Sequence, residues 1–302
     1  MNPGNNTPRA LILADPGRIP EPWRTQVADT VSATWCPEGL SRFPENDPRL
    51  AAFTTLVAMP YHLDAAALSR LPALRLLITT STAVHSVDLD HCRARGITVR
   101  NITGYAGPAV AEHAFALLLA SLRGVRAAEA VAQGDVPALE LAGRTAGVIG
   151  LGDIGSRIAR IAMGFGMRVL FTSRTPRSLD GALPRALSPL LTAADVVFLA
   201  VPLTPATRHL FDAARLRAMK STAQLISISP EEVIDLPALR QALREGIIAG
   251  AALDISGVIE RFHGVPRLTL THRLGTHTQE CARRRAEHWV RVLRACVDAG
   301  LG

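Results

Sequence analysis

The sharpest run of chemistry-bearing residues in this 302-residue sequence is Gly150-Leu151-Gly152-Asp153-Ile154-Gly155. It follows an apolar stretch at 146–149 and opens a helical pattern over 153–164. In such a turn the first glycine permits the tight bend. The second lets the backbone approach a pyrophosphate, and the third lets helix and strand pack closely. The phosphates then meet free N–H groups at the positive end of the helix. This context predicts a dinucleotide site made of Gly150, Gly152, Asp153, Ile154 and Gly155. The competing reading is a glycine-rich turn that holds nothing. The next strand ends at Thr172-Ser173-Arg174, with Arg177 three residues on and no acid to accept ribose hydroxyls. A hydroxyl and guanidinium groups suit a 2′-phosphate, so Ser173, Arg174 and Arg177 predict NADP (NADPH) over NAD. Alternatively, Arg174 is simply a solvated surface residue.

Composition narrows the rest. Hydrophobic residues make up 48% and charged residues 20%, which suits a folded chain, and aromatics at 4% leave the core to Ala, Leu, Val and Ile. The formal charge of +7 comes from basic residues that are all Arg except Lys220. They are scattered rather than clustered, which argues against nucleic acid as a partner. Cys36, Cys92, Cys281 and Cys296 form no CxxC or zinc spacing and are read as reduced, structural residues, with no metal site. The N-terminus has no apolar signal core, and no apolar run is long enough to span a bilayer, so the expectation is a soluble, cytoplasmic protein with no membrane partner.

The elements that must position the glycine turn follow a repeating order. Short apolar runs at 10–14, 55–59, 74–79 and 97–99 are predicted strands, with a helix at 63–71. A second series has strands at 146–149, 168–171, 196–200, 223–228, 248–253 and 268–270, with helices at 153–164 and 236–245. The apolar 109–123 stretch reads as a helix, either central core or a dimer surface, and 280–298 as a long Arg-rich helix. Alternating strands and helices imply parallel sheets.

From about residue 71 to 280 the sequence resembles the D-isomer-specific 2-hydroxyacid dehydrogenase family. The segments that carry the likeness are LPALRLLITTS, VDLDHCRARGITVRN, VAEHAFALLLA, GRTAGVIGLGDIG, VPLTPATRHLF, LRAMK and ALREGIIAGAALD. The resemblance implies an α/β fold of two Rossmann-like, doubly wound parallel-sheet domains. The cofactor domain (101–275) would be inserted into the substrate domain (1–100 and 276–302), with the active site in the cleft. It further implies a homodimer acting on a small molecule, with Val201, Pro202 and Thr207 lining the cofactor and Asp254 near the nicotinamide amide.

Three family positions depart from the pattern. The Arg that grips a 2-keto acid, in NxxRG, is Pro230 here, followed by Glu231. The His of the T-P-H turn aligns with Arg273, and its Pro with His272. Arg cannot titrate near neutral pH, yet it can polarise an oxyanion. The Glu that tunes the His falls on Ile259, beside Glu260. The substrate-domain turn that usually carries glycine is Thr80-Ser81-Thr82-Ala83-Val84-His85. Arg273, His272, Glu260 and His85 are therefore the catalytic candidates, with His277 nearby and Glu112 and His113 read as structural. The expectation is an NADPH-dependent oxidoreductase passing hydride to a carbonyl or related electrophile. The alternatives are non-redox chemistry on a bound dinucleotide, or an NADP(H) sensor.

Overall fold

The computed structural model describes residues 7–58, 62–82, 84, 86–123, 139–257, 262 and 264–302. They divide into two compact units, Met1–Tyr105 with Gln279–Gly302, and Ala106–Thr278.

The first unit is built on a five-stranded parallel sheet ordered β2-β1-β3-β4-β5. Its strands are β1 (Arg9–Leu13), β2 (Ser32–Trp35), β3 (Thr55–Ala58), β4 (Leu76–Thr79) and β5 (Thr98–Asn101). β3 and β4 are buried at every residue, which is why they read as unbroken apolar runs. The predicted 63–71 helix is shorter, Ala65–Ser69. Asp64 caps it by accepting the Ala67 N–H at 2.8 Å, and Leu63 instead bridges to Val87. The last helix, Gln279–Asp298, buries Cys281, Ala286, Trp289, Val290, Leu293 and Cys296 along one stripe. Arg284 Nε donates to the Tyr105 carbonyl at 2.8 Å, and His288 Nδ1 lies 2.8 Å from that of Thr103, which ties this helix to the end of the unit's first segment.

The second unit has a seven-stranded parallel sheet ordered β12-β11-β10-β9-β6-β7-β8. Its strands are β6 (Thr145–Ile149), β7 (Arg168–Thr172), β8 (Ala182–Pro184), β9 (Val196–Leu199), β10 (Gln224–Ser227), β11 (Gly250–Ile255) and β12 (Leu268–His272). The chain starts at β6, winds out to β8, then returns to β9 on the other side of β6. This reversal between β6 and β9 is the switch point of a doubly wound sheet, where ligands bind beyond the strand ends. Along β9, Val196 and Phe198 enter the core on one face and Val197 and Leu199 the core on the other. The Gly107–Arg123 helix packs into the first of these cores, where the Phe115 ring lies 5.2 Å from Phe198 and stacks at 5.3 Å on Phe165. At the starting edge of the sheet, Asp195 accepts the Thr145 N–H at 2.8 Å and Lys220 Nζ at 2.9 Å, which clips the entries of β6 and β9 together.

No described helix is long and apolar enough to cross a membrane. All four cysteines are buried, and none forms a disulfide.

Candidate functional site

The turn after β6 shows why each glycine stands where it does. Gly150 holds φ +95°, and a Cβ there would lie 2.5 Å from the Ala200 carbonyl oxygen and 2.8 Å from Val201 Cγ1. Only glycine fits between β6 and the residues leaving β9. A Cβ on Gly155 would sit 1.8 Å from the Gly150 carbonyl oxygen, so the Asp153–Gly164 helix can reach this strand only without a side chain there. Gly152 is different, because nothing lies within 4 Å of its Cβ position. It is the open side of the turn.

Gly152 is also the cap of that helix and contributes no side-chain hydrogen bond to it. The helices starting at Ala65, Leu89, Ala213 and Leu236 are instead each capped by an Asp carboxylate, from Asp64, Asp88, Asp212 and Asp235. The first-turn N–H groups beyond Gly152 are thus left for an external acceptor, an arrangement that fits a pyrophosphate. Asp153 lies in this turn and accepts a 3.0 Å bond from Arg157 Nε, which offsets its negative charge. Ile154 follows, packed against the core.

At the end of β7, Ser173 Oγ donates to the Thr175 carbonyl at 2.7 Å, while Arg174 and Arg177 are exposed. No acidic residue occurs between 168 and 179. Beyond β9, the Val201 N–H donates to the buried Ser229 Oγ at 3.0 Å. Thr207 Oγ1 accepts the Thr204 N–H at 2.7 Å and donates to the Pro202 carbonyl at 2.6 Å, so its hydroxyl braces the 202–207 loop.

Asp254, near the end of β11, organises the turn after β12. Its Oδ1 accepts Thr271 Oγ1 at 2.7 Å and the Leu274 N–H at 2.9 Å, and its Oδ2 accepts the Gly275 N–H at 3.0 Å. His113 reaches in from the Gly107–Arg123 helix, with Nε2 3.0 Å from Thr271 Oγ1 and 3.6 Å from Asp254 Oδ1. The single proton of the Thr271 hydroxyl goes to the carboxylate, so His113 must donate through Nε2. Burial pushes the Asp254 carboxyl up, but the bonds from His113, Thr271, Gly275 and Leu274 together prevail and hold it at about 2. Gly275 is boxed in, with its Cβ position 3.1 Å from Asp254 Oδ2 and 3.5 Å from the His113 ring.

Two bonds from Asp254 thus grip the residues just after Arg273. Arg273 itself is left-handed, at φ 47° and ψ 43°, and exposed, as are His272 and His277. A non-glycine residue in this region carries strain of about 1 kcal/mol or more, kept only where the surroundings dictate it. Glu231 does not stand free. Its carboxylate accepts the Ser256 N–H and hydroxyl, each at 3.1 Å. Glu260 and His85 lie outside the described residues. Among the described residues no cluster of His, Cys, Asp or Glu could hold a metal ion.

The sequence profile of the D-isomer specific 2-hydroxyacid dehydrogenase, NAD binding domain, matches residues 115–263. The chain is 37% identical over 254 residues to the glyoxylate reductase of Pyrococcus furiosus, a match spanning 77% of this chain and 76% of that one. It is 36% identical over 235 residues to the glycerate dehydrogenase of Methylorubrum extorquens, spanning 74% and 72%. The crystal structure of D-lactate dehydrogenase from Aquifex aeolicus, complexed with NAD and lactic acid, matches at TM-score 0.85 and 28% identity over 97% of this chain and 96% of that one. Fold, glycine turn and relatives together define a dinucleotide-dependent oxidoreductase. The chain belongs to the D-isomer specific 2-hydroxyacid dehydrogenase family.

Proposed function

We propose that this protein is an NADPH-dependent reductase that passes hydride to a carbonyl or related electrophile without the family's Arg, Glu and His. The observation that carries the cofactor choice is the end of β7, where Ser173, Arg174 and Arg177 stand and no carboxylate does. A ribose with free hydroxyls finds no acidic acceptor there, whereas a 2′-phosphate finds two guanidinium groups. The relative bound to NAD bears on the family, and the preference for NADPH rests on this chain's own residues. The reading gives cofactor binding to 101–275 and substrate binding to 1–100 with 276–302, in a cytoplasmic homodimer.

NADPH, when bound, supplies the hydride. The oxygen or nitrogen that gains charge as hydride arrives needs a cation and a proton. Arg273 offers a permanent cation, fixed by the turn that Asp254 holds. His272, one residue before it, is the nearest proton donor in sequence, and Glu260 and His85 complete the candidate set. A plain 2-keto acid is a poor substrate for this chain. Pro230 supplies no cation at the family's Arg position, and Glu231 is already engaged by Ser256.

The test is Arg174→Asp, followed by the fluorescence of bound NADPH and NADH. NADPH affinity should fall about tenfold or more while NADH affinity changes little. Equal loss for both would overturn the 2′-phosphate assignment. Loss of reduced-nicotinamide absorbance on offering 2-keto acids, simple ketones and imines then identifies the electrophile. Tight NADPH binding with no oxidation by any of them would move the reading to non-redox chemistry or sensing.

A further inference from the structure

We propose that His113 is a positioning residue for the turn after β12: through its Nε2–H and the Thr271 hydroxyl it fixes the Asp254 carboxylate, and through that carboxylate the conformation of Arg273. The consequence for catalysis rests on the role proposed for Arg273, whereas the consequence for the shape of the turn does not.

The turn needs an anchor from outside its own sheet. β12 is the last strand of that sheet and pairs only with β11. None of its residues is fully buried. Packing along the strand therefore does not dictate the path of the chain beyond it. Yet Arg273 holds φ 47° and ψ 43°, a left-handed conformation without the glycine that favours it. Asp254 bonds the chain on both sides of that residue, to Thr271 before it and to Leu274 and Gly275 after it. A carboxylate turns easily about its last torsion, so these bonds share one arrangement only while the carboxylate itself is held.

His113 brings the hold from a different element. The Gly107–Arg123 helix that carries it has Ala111, Ala114, Phe115, Leu117 and Leu118 in the core, so its position is set by packing. His113 is largely buried, with 16% of its side chain exposed, and its Nε2 lies 3.0 Å from Thr271 Oγ1. Its N–H occupies one lone pair of that hydroxyl and directs the single hydroxyl proton to Asp254 Oδ1. Val110, three residues earlier on the same helix, and the His113 ring each stand 3.5 Å from the Cβ position of Gly275, so one face of the helix also closes over the turn from behind. Burial raises the Asp254 carboxyl, and of the contacts that oppose burial the one with His113 is the strongest. An apolar side chain of similar bulk would fill the same space but would not orient the hydroxyl. A Gln side chain, whose amide N–H reaches about as far as Nε2, would.

The test compares His113→Leu, His113→Gln, Thr271→Val and the double variant His113→Leu/Thr271→Val in the full chain, each verified to fold by thermal melting. Carbon-13 NMR follows the Asp254 carboxyl through its titration, and NMR amide exchange follows Leu274 and Gly275. In His113→Leu the Asp254 pKa should rise from about 2 to about 3 or above. The two amides should exchange about tenfold faster. With the electrophile that the panel of 2-keto acids, ketones and imines identifies, kcat should fall on the order of tenfold while KM stays within about twofold. His113→Gln should bring all three readouts back to within about threefold of the parent. Thr271→Val should match His113→Leu, and the double variant should be no worse than either, because both residues act along one path. Parental titration and exchange in His113→Leu, no recovery in His113→Gln, or additive losses in the double variant would each overturn the positioning role. If His113→Leu does not fold, Thr271→Val and His113→Gln decide it by the same titration and exchange. Arg273→Ala, assayed alongside, separates this inference from the catalytic reading. Unchanged turnover there removes Arg273 from the chemistry, and titration and exchange still decide whether His113 sets the turn.

Discussion

Asp254 is a carboxylate whose value lies in what it holds still. Its two oxygens take the Thr271 hydroxyl and the N–H groups of Leu274 and Gly275, and His113 stands behind Thr271. Its folded pKa of about 2 lies below the ordinary 3.8. The resulting stabilisation is complete above the unfolded value and is lost as pH falls through the folded one. At pH 7 it amounts to about 2 kcal/mol. Asp254→Asn, which turns an NH₂ towards one set of donors, should therefore cost on the order of 2 kcal/mol in denaturant unfolding. The gap to the parent should close between about pH 4 and pH 2, following the pKa values just given. A constant gap across that range would mean that the carboxylate charge is not what holds the turn. Residue identity revealed Asp254 as a strand-end acid, but not its partners. His113 is distant in sequence and sits in an apolar helix, where a lone imidazole reads as structural. Only the register of β11 with β12, which sets Asp254 opposite Thr271, brings them together. Glu231 is similar: the sequence placed a carboxylate where the family has glycine, but did not show the Ser256 N–H and hydroxyl that donate to it.

Among the elements, the glycine turn gives the cleanest separation of folding from binding. Gly155→Ala would drive a methyl into the Gly150 carbonyl, so the helix must move and the unit should lose several kcal/mol of stability. Gly152→Ala meets no atom within 4 Å and should leave the melting temperature within a degree or two of the parent, at an expected cost of no more than about 0.5 kcal/mol. Yet its methyl occupies the open side of the turn, and NADPH affinity should fall tenfold or more, on the order of 1.4 kcal/mol. Unchanged affinity in Gly152→Ala would place the pyrophosphate elsewhere. This turn was legible because its signal is local: strand, three glycines, helix, in one stretch of sequence. The buried strands were legible for the same reason, as continuous apolar runs. β2 and β8 were not. Ser32–Trp35 and Ala182–Pro184 lie at sheet edges, are largely exposed, and carry no apolar run to betray them. β11 also begins at Gly250, later than the apolar run at 248, and extends to Ile255, because its ladder with β12 continues past Asp254.

Taken whole, the chain is two units, each with its own buried core. A ligand that binds only the native form of one unit stabilises that unit by mass action, about 2.7 kcal/mol at a hundred times its Kd. Hydrogen exchange with saturating NADPH should therefore slow the most protected amides of β6–β12 by about a hundredfold and leave those of β1–β5 nearly unchanged. Equal slowing in both sheets would mean that the units open as one. The clip at the entry of β6 and β9 offers an independent view of the same opening. Its cation, Lys220, is the only lysine in the chain. A lysine-specific protease therefore has a single peptide bond to cut, just before the start of β10, in a segment held by Asp195. Cleavage yields two fragments, 1–220 and 221–302, and their rate of appearance on a gel counts each excursion in which this edge of the sheet comes apart.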